Sequence, residues 1–381
     1  MIFRDTASNH PSNPTGAATR RLLPLLLPLA LLANPTAATE VEGVLLTRHL
    51  TDNAIVHTTA SEQMLPNLRF TDDGGEAGVV IPVDAGQRHQ SLYGYGISFD
   101  RSSMANLLEM SPTVRAEVLR RLFDPDAEDG VRFNLIRYPL GTSDFTGTEW
   151  YTYNDMPKGE HDPELEHFSI DPDRQRGFIA LLREVLQINP DIRLIGATWS
   201  PPAWMKERER LIHGTDLKPE YRATFAAYLR KTLQAFAEEG IPFAAISLQN
   251  EPEVRQSYPS CKMSTETILA VQQALRREFD EHGVWVGILV GDTQWNEAER
   301  YSFPQARQAV ENDNPYVIGA AWHFYGGNPR EMQRYLEEFP EQLNLLTEVQ
   351  MTIRNDRRGK MSDGLEYFHH GAHGMIDWVT C

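Results

Sequence analysis

Cysteine is nearly missing from this sequence, with Cys261 and Cys381 the only two among 381 residues. Two thiols make neither a disulfide framework nor a four-cysteine metal site, so the fold has to rest on a packed core. Whether the two pair with each other stays open. Positive charge is also scarce: 36 Lys and Arg stand against 53 Asp and Glu, a formal net charge of −17. Nucleic acid and anionic membrane surfaces are therefore excluded as expected partners, because both would be repelled. No Gly-rich phosphate turn is obvious after the first candidate strand of the alternating region, which argues against a doubly wound nucleotide-binding sheet. Internal repeats are lacking too. The long apolar run at 22–33 is short for a bilayer span, so no integral membrane contact is expected.

That run follows Arg20-Arg21, contains Pro24 and Pro28, and gives way to Asn34-Pro35 and then Thr36-Ala37-Ala38. Interior prolines spoil a buried helix. A basic flank, a short apolar stretch and a small-residue exit make a secretory signal pattern. Residues 1–38 are expected to be a signal peptide, and the protein to be secreted or periplasmic. Residues 39–90 hold short β-like runs at 41–46, 54–59 and 79–83, separated by polar turns such as Asp72-Asp73-Gly74-Gly75. With no helical period, they read as a small β appendage.

From residue 93 the pattern changes. Near-continuous apolar runs at 93–100, 133–141, 193–200, 244–251, 284–292, 317–325, 343–349 and 374–380 suit strands buried on both faces of a parallel sheet. Amphipathic helices lie between them. Ser111-Pro112 opens one with an expected apolar face of Val114, Val118 and Leu122; Gly240 and Gly283 close two others. A fourth is marked by Met332, Tyr335, Leu336 and Phe339. Eight strands with helical crossovers predict an α/β fold, a (β/α)8 TIM barrel over 91–381. Its eighth strand ends the chain at Val379-Thr380-Cys381, so the expectation is a barrel lacking its final helix.

Catalytic groups of such barrels project from the C-terminal strand ends. Those ends carry Asp100, Arg137 and Asp144, Trp199, Asn250-Glu251, Asp292, His323 and Tyr325, Glu348, and Trp378. Glu251 and Glu348 fall on the fourth and seventh strands, roughly opposite across the mouth. Cleaving a glycosidic bond needs such a pair, one carboxyl to protonate the leaving oxygen and one to meet the oxocarbenium-like centre. Tryptophans suit the apolar C–H faces of sugars. Each feature alone has a plainer reading: Asn-Glu-Pro also caps helices, Trp199 and Trp204 could be core aromatics, and His323 could be a satisfied buried histidine. Their shared position at one end of successive strands favours chemistry. No cofactor or metal is expected. His369, His370 and His373 have metal-like spacing but read as a solvated turn.

The segments 90–96 (Gln-Ser-Leu-Tyr-Gly-Tyr-Gly), 136–139 (Ile-Arg-Tyr-Pro), 142–145 (Thr-Ser-Asp-Phe) and 151–155 (Tyr-Thr-Tyr-Asn-Asp) form an ordered series. It continues through 199–206 (Trp-Ser-Pro-Pro-Ala-Trp-Met-Lys), 249–252 (Gln-Asn-Glu-Pro), 258–261 (Tyr-Pro-Ser-Cys), 323–325 (His-Phe-Tyr) and 347–348 (Thr-Glu). This series resembles the glucosylceramidase-type glycoside hydrolases of family 30, which include endo-β-1,6-glucanases. The resemblance implies a retaining β-glycosidase acting on β-glucosyl linkages of a glycan or glycolipid, with Glu251 as acid/base and Glu348 as nucleophile. It implies substrate contacts at Asp144, Trp199, Asn250, Tyr325 and Trp378, and supporting roles for Arg137 and His323. Family members continue past the eighth strand into a helix and a β-sandwich shared with N-terminal strands, so 39–90 would be part of a sandwich. The alternative is an inactive, C-terminally short remnant or a carbohydrate-binding protein of the same fold.

Overall fold

The computed structural model describes residues 40–50, 58–69, 84, 86–87, 91–147 and 149–349. The chain divides into two units, 1–89 and 90–381. In the first, β1 (Glu40–Leu50) and β2 (Thr58–Arg69) form an antiparallel pair, with Glu40 opposite Arg69 and Leu50 opposite Thr58. The expected short strand at 54–59 contributes only its last two residues to β2, which runs on through the polar Ser61-Glu62-Gln63. Backbone pairing with β1 carries that strand where no apolar run does. Residues 54–57 and the expected strand at 79–83 lie outside the described residues.

The second unit alternates strands and helices. In order come β3 (Gly96–Ser98), α1 (Arg101–Glu109), α2 (Pro112–Phe123), β4 (Leu135–Pro139), α3 (Asp171–Gln175), α4 (Phe178–Ile188), β5 (Arg193–Ala197) and α5 (Arg222–Glu238). These are followed by β6 (Phe243–Ser247), α6 (Thr265–His282), β7 (Gly287–Gln294), α7 (Ser302–Glu311), β8 (Val317–His323), α8 (Arg330–Glu338) and β9 (Leu343–Glu348). The strands β3 to β9 pair in sequence order, all parallel, as a seven-stranded curled half-barrel. All seven fall within or overlap the apolar runs read from sequence. The eighth run, 374–380, lies outside the described residues, as do the signal stretch 1–38, the histidines 369, 370 and 373, and Trp378.

Alternation along the strands sorts their side chains. Ile195, Ala245, Leu289, Ala321 and Leu345 form one buried cluster with Leu135 and Leu343 packed on it. The other faces, including Ile136, Tyr138, Leu194, Ile246, Ile288 and Ala320, belong to a second cluster together with the helices. Arg137 sits two residues from Leu135, so it shares Leu135's face rather than that of Ile136 and Tyr138. That placement puts a guanidinium among the strand ends.

Helix ends follow their capping residues. Ser111 Oγ accepts from the Val114 amide at 3.4 Å, and Ser264 Oγ from the Thr267 amide at 3.1 Å. Gly283 closes α6 in the left-handed region at φ 63°. The apolar face expected for α2 needs correction: Val114 is exposed, Val118 and Leu122 are half-buried, and Leu119 and Phe123 carry the burial. The contact with α4 falls one residue along from the stripe read in the sequence.

Candidate active site

Three backbone irregularities bring the site together. The segment after β6 stays tied to both neighbours: the Asn250 amide donates to the Thr198 carbonyl (2.7 Å) and the Glu251 amide to the Asp292 carbonyl (2.9 Å). Glu251 itself lies at φ 44°, a left-handed turn that costs a non-glycine residue about 1 kcal/mol or more. In β7, Gly291 (φ 84°) and Asp292 (φ 54°) coincide with a register shift against β8 between Gly291 and Thr293. A Cβ on Gly291 would come within 2.4 Å of Ser302 Oγ, so only glycine fits there. A further shift between Trp322 and His323 sets His323 opposite Glu348. Such bulges re-aim side chains at strand ends.

The side chains form one connected network. Arg137 Nη1 donates to Glu348 Oε2 (2.7 Å), while Nη2 donates to Asn250 Oδ1 (2.6 Å) and Asp292 Oδ2 (2.9 Å). His323 donates from Nδ1 to Glu251 Oε1 (3.2 Å) and from Nε2 to Asp292 Oδ1 (3.1 Å). The Tyr325 hydroxyl donates to Glu348 Oε1 (3.1 Å). Asp292 also accepts from the hydroxyls of Ser247 and Thr347. One carboxylate oxygen each from Glu251 and Glu348 and one ring nitrogen of His323 lie within 4.8 Å of one another. Glu251 is 7% exposed, and the Glu348 side chain 24%, so the second carboxyl is the more open.

Charge is balanced inside this network. Burial opposes the His323 cation, but Glu348, Asp292 and Glu251 overcome it and push His323 up to about 10. Burial works against ionisation of Glu348 as well; His323 and Arg137 prevail and hold its carboxyl below the usual range. Asp292 is held lower still by Arg137 and His323 against its own burial. Burial, with Glu348 and Asp100 nearby, pushes Asp144 up to about 6. In the trio Glu251, His323 and Glu348 both ring nitrogens of His323 are already hydrogen-bonded to carboxylates and Arg137 takes Glu348 Oε2, so a metal ion there would have to displace these contacts.

Of the sequence-derived site residues, Arg137, Asn250, Glu251, His323, Tyr325 and Glu348 converge by direct contact. Asp144 opens a short 3-10 turn (Asp144–Thr146) capped by Ser143, whose hydroxyl donates to Asp100 at 3.1 Å. Trp199 is 3% exposed, and the Arg137 guanidinium lies 4.6 Å from its ring centroid, which takes up one indole face. Trp204 is a core aromatic: its Nε1 donates to the Asn154 carbonyl (3.0 Å) and side-chain oxygen (3.1 Å). Cys261 is a buried free thiol whose Sγ lies 3.2 Å from the Thr215 carbonyl. Asp292 was legible in sequence only as a strand-end aspartate, yet it joins Arg137 to His323. Tyr258 entered the sequence reading only as part of the 258–261 motif, with no role given to it. Its phenol, raised first by burial and then by Glu251, Asp144 and Glu348, lies among the same carboxylates.

A parallel α/β half-barrel with two carboxylates at its C-terminal strand ends is the architecture of a glycoside hydrolase. The chain belongs to glycosyl hydrolase family 30: the model of that family's TIM-barrel domain matches residues 92–381. Among curated proteins, it is 28% identical over 252 residues to endo-1,6-beta-D-glucanase BGN16.3 of Trichoderma harzianum, covering 63% of this chain and 49% of that protein. It is 29% identical over 180 residues to the lysosomal acid glucosylceramidase of Mus musculus, covering 46% and 34%. Among solved structures, the endo-beta1,6-glucanase BT3312 aligns at a TM-score of 0.63 and 30% identity, covering 72% of this chain and 61% of that one. SrfJ from Salmonella typhimurium aligns at 0.65 and 25%, covering 76% and 62%. The chain spans about half the length of the endo-1,6-glucanases it matches. Among the described residues, no helix is long and apolar enough to cross a membrane.

Proposed function

We propose that the chain is a retaining β-glycosidase that hydrolyses β-glucosyl linkages by double displacement, with β-1,6-glucan or a glucosylceramide-like glycolipid as substrate. The carrying observation is the approach of Glu251 and Glu348 oxygens to within 4.8 Å. Inverting enzymes hold their carboxyls ~6.5–9.5 Å apart to admit a water, whereas retaining ones hold them at ~5–5.5 Å.

In the first step the Glu251 carboxyl gives its proton to the glycosidic oxygen as a Glu348 oxygen bonds to the anomeric carbon. The C–O bond to the leaving alcohol breaks, leaving a glycosyl ester on Glu348. In the second step Glu251 takes a proton from water, the water oxygen bonds to the anomeric carbon, and Glu348 departs as carboxylate. Arg137 and Tyr325 favour the ionised Glu348 that both steps need. Asp144, Trp199, Asn250 and Tyr325 are assigned to hold the sugar, as is Trp378, which lies outside the described residues. The names of the relatives support both substrate classes. The basic, apolar and small-residue pattern of 1–38 supports export to a secreted or periplasmic location.

Glu251→Ala should slow substrates with poor leaving groups most and be rescued by azide, which needs no general base. Loss of turnover without azide rescue, or a product of inverted configuration, would remove the assignment.

A further inference from the structure

The end of the half-barrel opposite the carboxylates carries an aromatic that the proposed reaction does not use. Trp285, two residues before β7, is 76% exposed. Its ring is braced all the same: the centroid lies 5.2 Å from that of Tyr316, which packs edge-on against Phe279 at 5.1 Å. Tyr316 and Phe279 are buried, so this row anchors the indole to the core while most of it stays in water. Beside it runs a cleft of about 330 Å³ between α6 and α7. The Tyr316 hydroxyl donates to Asp280 Oδ1 (2.8 Å), and Asp280 lines the cleft, so the indole flanks that end. Gln272, Arg277, Gln308, Asn312 and Asn314 are among the other lining residues. Arg276 links α6 to the end of α7 by donating from Nη1 to the Asn312 carbonyl, and its Nε lies 3.5 Å from Asp280 Oδ2. The Asn314 side-chain oxygen is held by the Tyr316 amide at 3.1 Å. Oε1 of Gln272, a residue 1% exposed, and Oε1 of Gln308 have no hydrogen-bond partner among the described residues. Buried acceptors without donors are uncommon in folded chains and mark a place for a donor from a water or a ligand.

We propose that this cleft, with Trp285 as its platform, is a second glycan-binding site that holds a β-glucan chain away from the point of cleavage. An exposed indole set against amides, a guanidinium and a carboxylate matches a pyranose: the ring takes the apolar C–H face, and the polar groups take the hydroxyls as donors and acceptors. A lipid chain would find too few apolar walls there. The choice of β-glucan as occupant rests on the substrate class proposed above. At ~3.3 Å per strand residue, Trp285 lies roughly 20 Å along β7 from Asp292 and the carboxylates around it. A sugar in the cleft therefore does not touch the reacting bond. The site acts by keeping polymer at the enzyme, which raises its effective concentration at the mouth.

The test titrates the full chain carrying Glu348→Gln, 15N-labelled on tryptophan, with gentiotetraose, a soluble β-1,6-linked glucose oligomer. The indole N–H resonance that Trp285→Phe removes should shift and saturate. A Trp285 resonance unmoved by the oligomer would overturn the proposal, whether or not the other indoles respond. On the active chain, Trp285→Ala and Arg277→Ala should each lower kcat/KM on dissolved β-1,6-glucan about tenfold relative to that on an aryl β-glucoside, which is too short to reach the cleft. An unchanged ratio counts against the site as well. Absence of any hydrolysis by the wild-type chain would instead strike the glycosidase reading, and the indole titration would still decide this one.

Discussion

Replacing Asp292 by Asn tests the network in which Arg137 and His323 share one anion. Oδ1 of Asp292 accepts from His323 Nε2 (3.1 Å) and Thr347 Oγ1 (2.8 Å), and Oδ2 accepts from Arg137 Nη2 (2.9 Å) and the Ser247 hydroxyl. The hydroxyls can rotate to accept instead, but Arg137 and protonated His323 only donate. Whichever way the amide turns, its NH2 meets one of these two cations. The residue is 1% exposed, so solvent cannot repair the clash. Breaking a buried ion pair on one side costs about 3–5 kcal/mol of stability. Both cations also act on Glu348, so its alignment suffers, and kcat/KM should drop about a hundredfold, equivalent to ~2.7 kcal/mol of transition-state stabilisation. His323 should also lose its proton at lower pH once this anion is gone. The assay is hydrolysis of an aryl β-glucoside alongside a thermal melt of the same preparation. A variant that melts like the parent and keeps kcat/KM within about threefold would refute the reasoning.

Other expectations follow from neighbouring groups. Asp173 is wholly buried and accepts from the hydroxyls of Tyr138, Tyr151 and Tyr153 and from Arg101 Nη2 at 3.0 Å. Asp173→Ala should lower stability by about 3–5 kcal/mol, read by urea titration, because it orphans a buried guanidinium and three phenols. Asp144 has its carboxyl raised to about 6 by burial and by Glu348 and Asp100. A folded-state value above the unfolded one means that its contribution is fully present below about pH 4 and is lost as pH rises through 6. Asp144→Asn should therefore flatten the decline of the melting temperature between those limits; an unchanged slope would contradict the shift. Lys206 is buried with its ammonium on Ser200 Oγ (2.7 Å) and the carbonyls of Leu211 (2.9 Å) and Ser260 (3.0 Å), and burial pushes it down to about 8. Stability should rise as pH climbs from 8 towards 10, an increment that Lys206→Met should abolish.

The barrel strands were legible because each is an apolar run long enough to be buried on both faces, and the runs are separated by capped amphipathic helices. Glu251 and Glu348 were legible because strand-end position and motif order coincide. Asp292 was legible as a strand-end aspartate but its part in the network was not, because a lone aspartate after Val290-Gly291 is ordinary until the register shift in β7 turns it between Arg137 and His323. The α2 face was misread for a related reason. Val114, Val118 and Leu122 keep a good helical spacing, but Leu119 and Phe123 keep it equally well, and only packing against α4 chooses between the two stripes. Nor did sequence distinguish Trp204 from Trp199. The first is fixed in the core by Asn154, and the second lies against Arg137.

The most direct measurement is mass spectrometry of the full chain after reaction with an activated 2-deoxy-2-fluoro-β-glucoside, whose slow second step strands the intermediate. A single fluoroglucosyl unit should be found on the peptide bearing Glu348, absent from Glu348→Gln. An unmodified chain that nevertheless hydrolyses β-glucosides, or label on another carboxylate, would contradict the assignment.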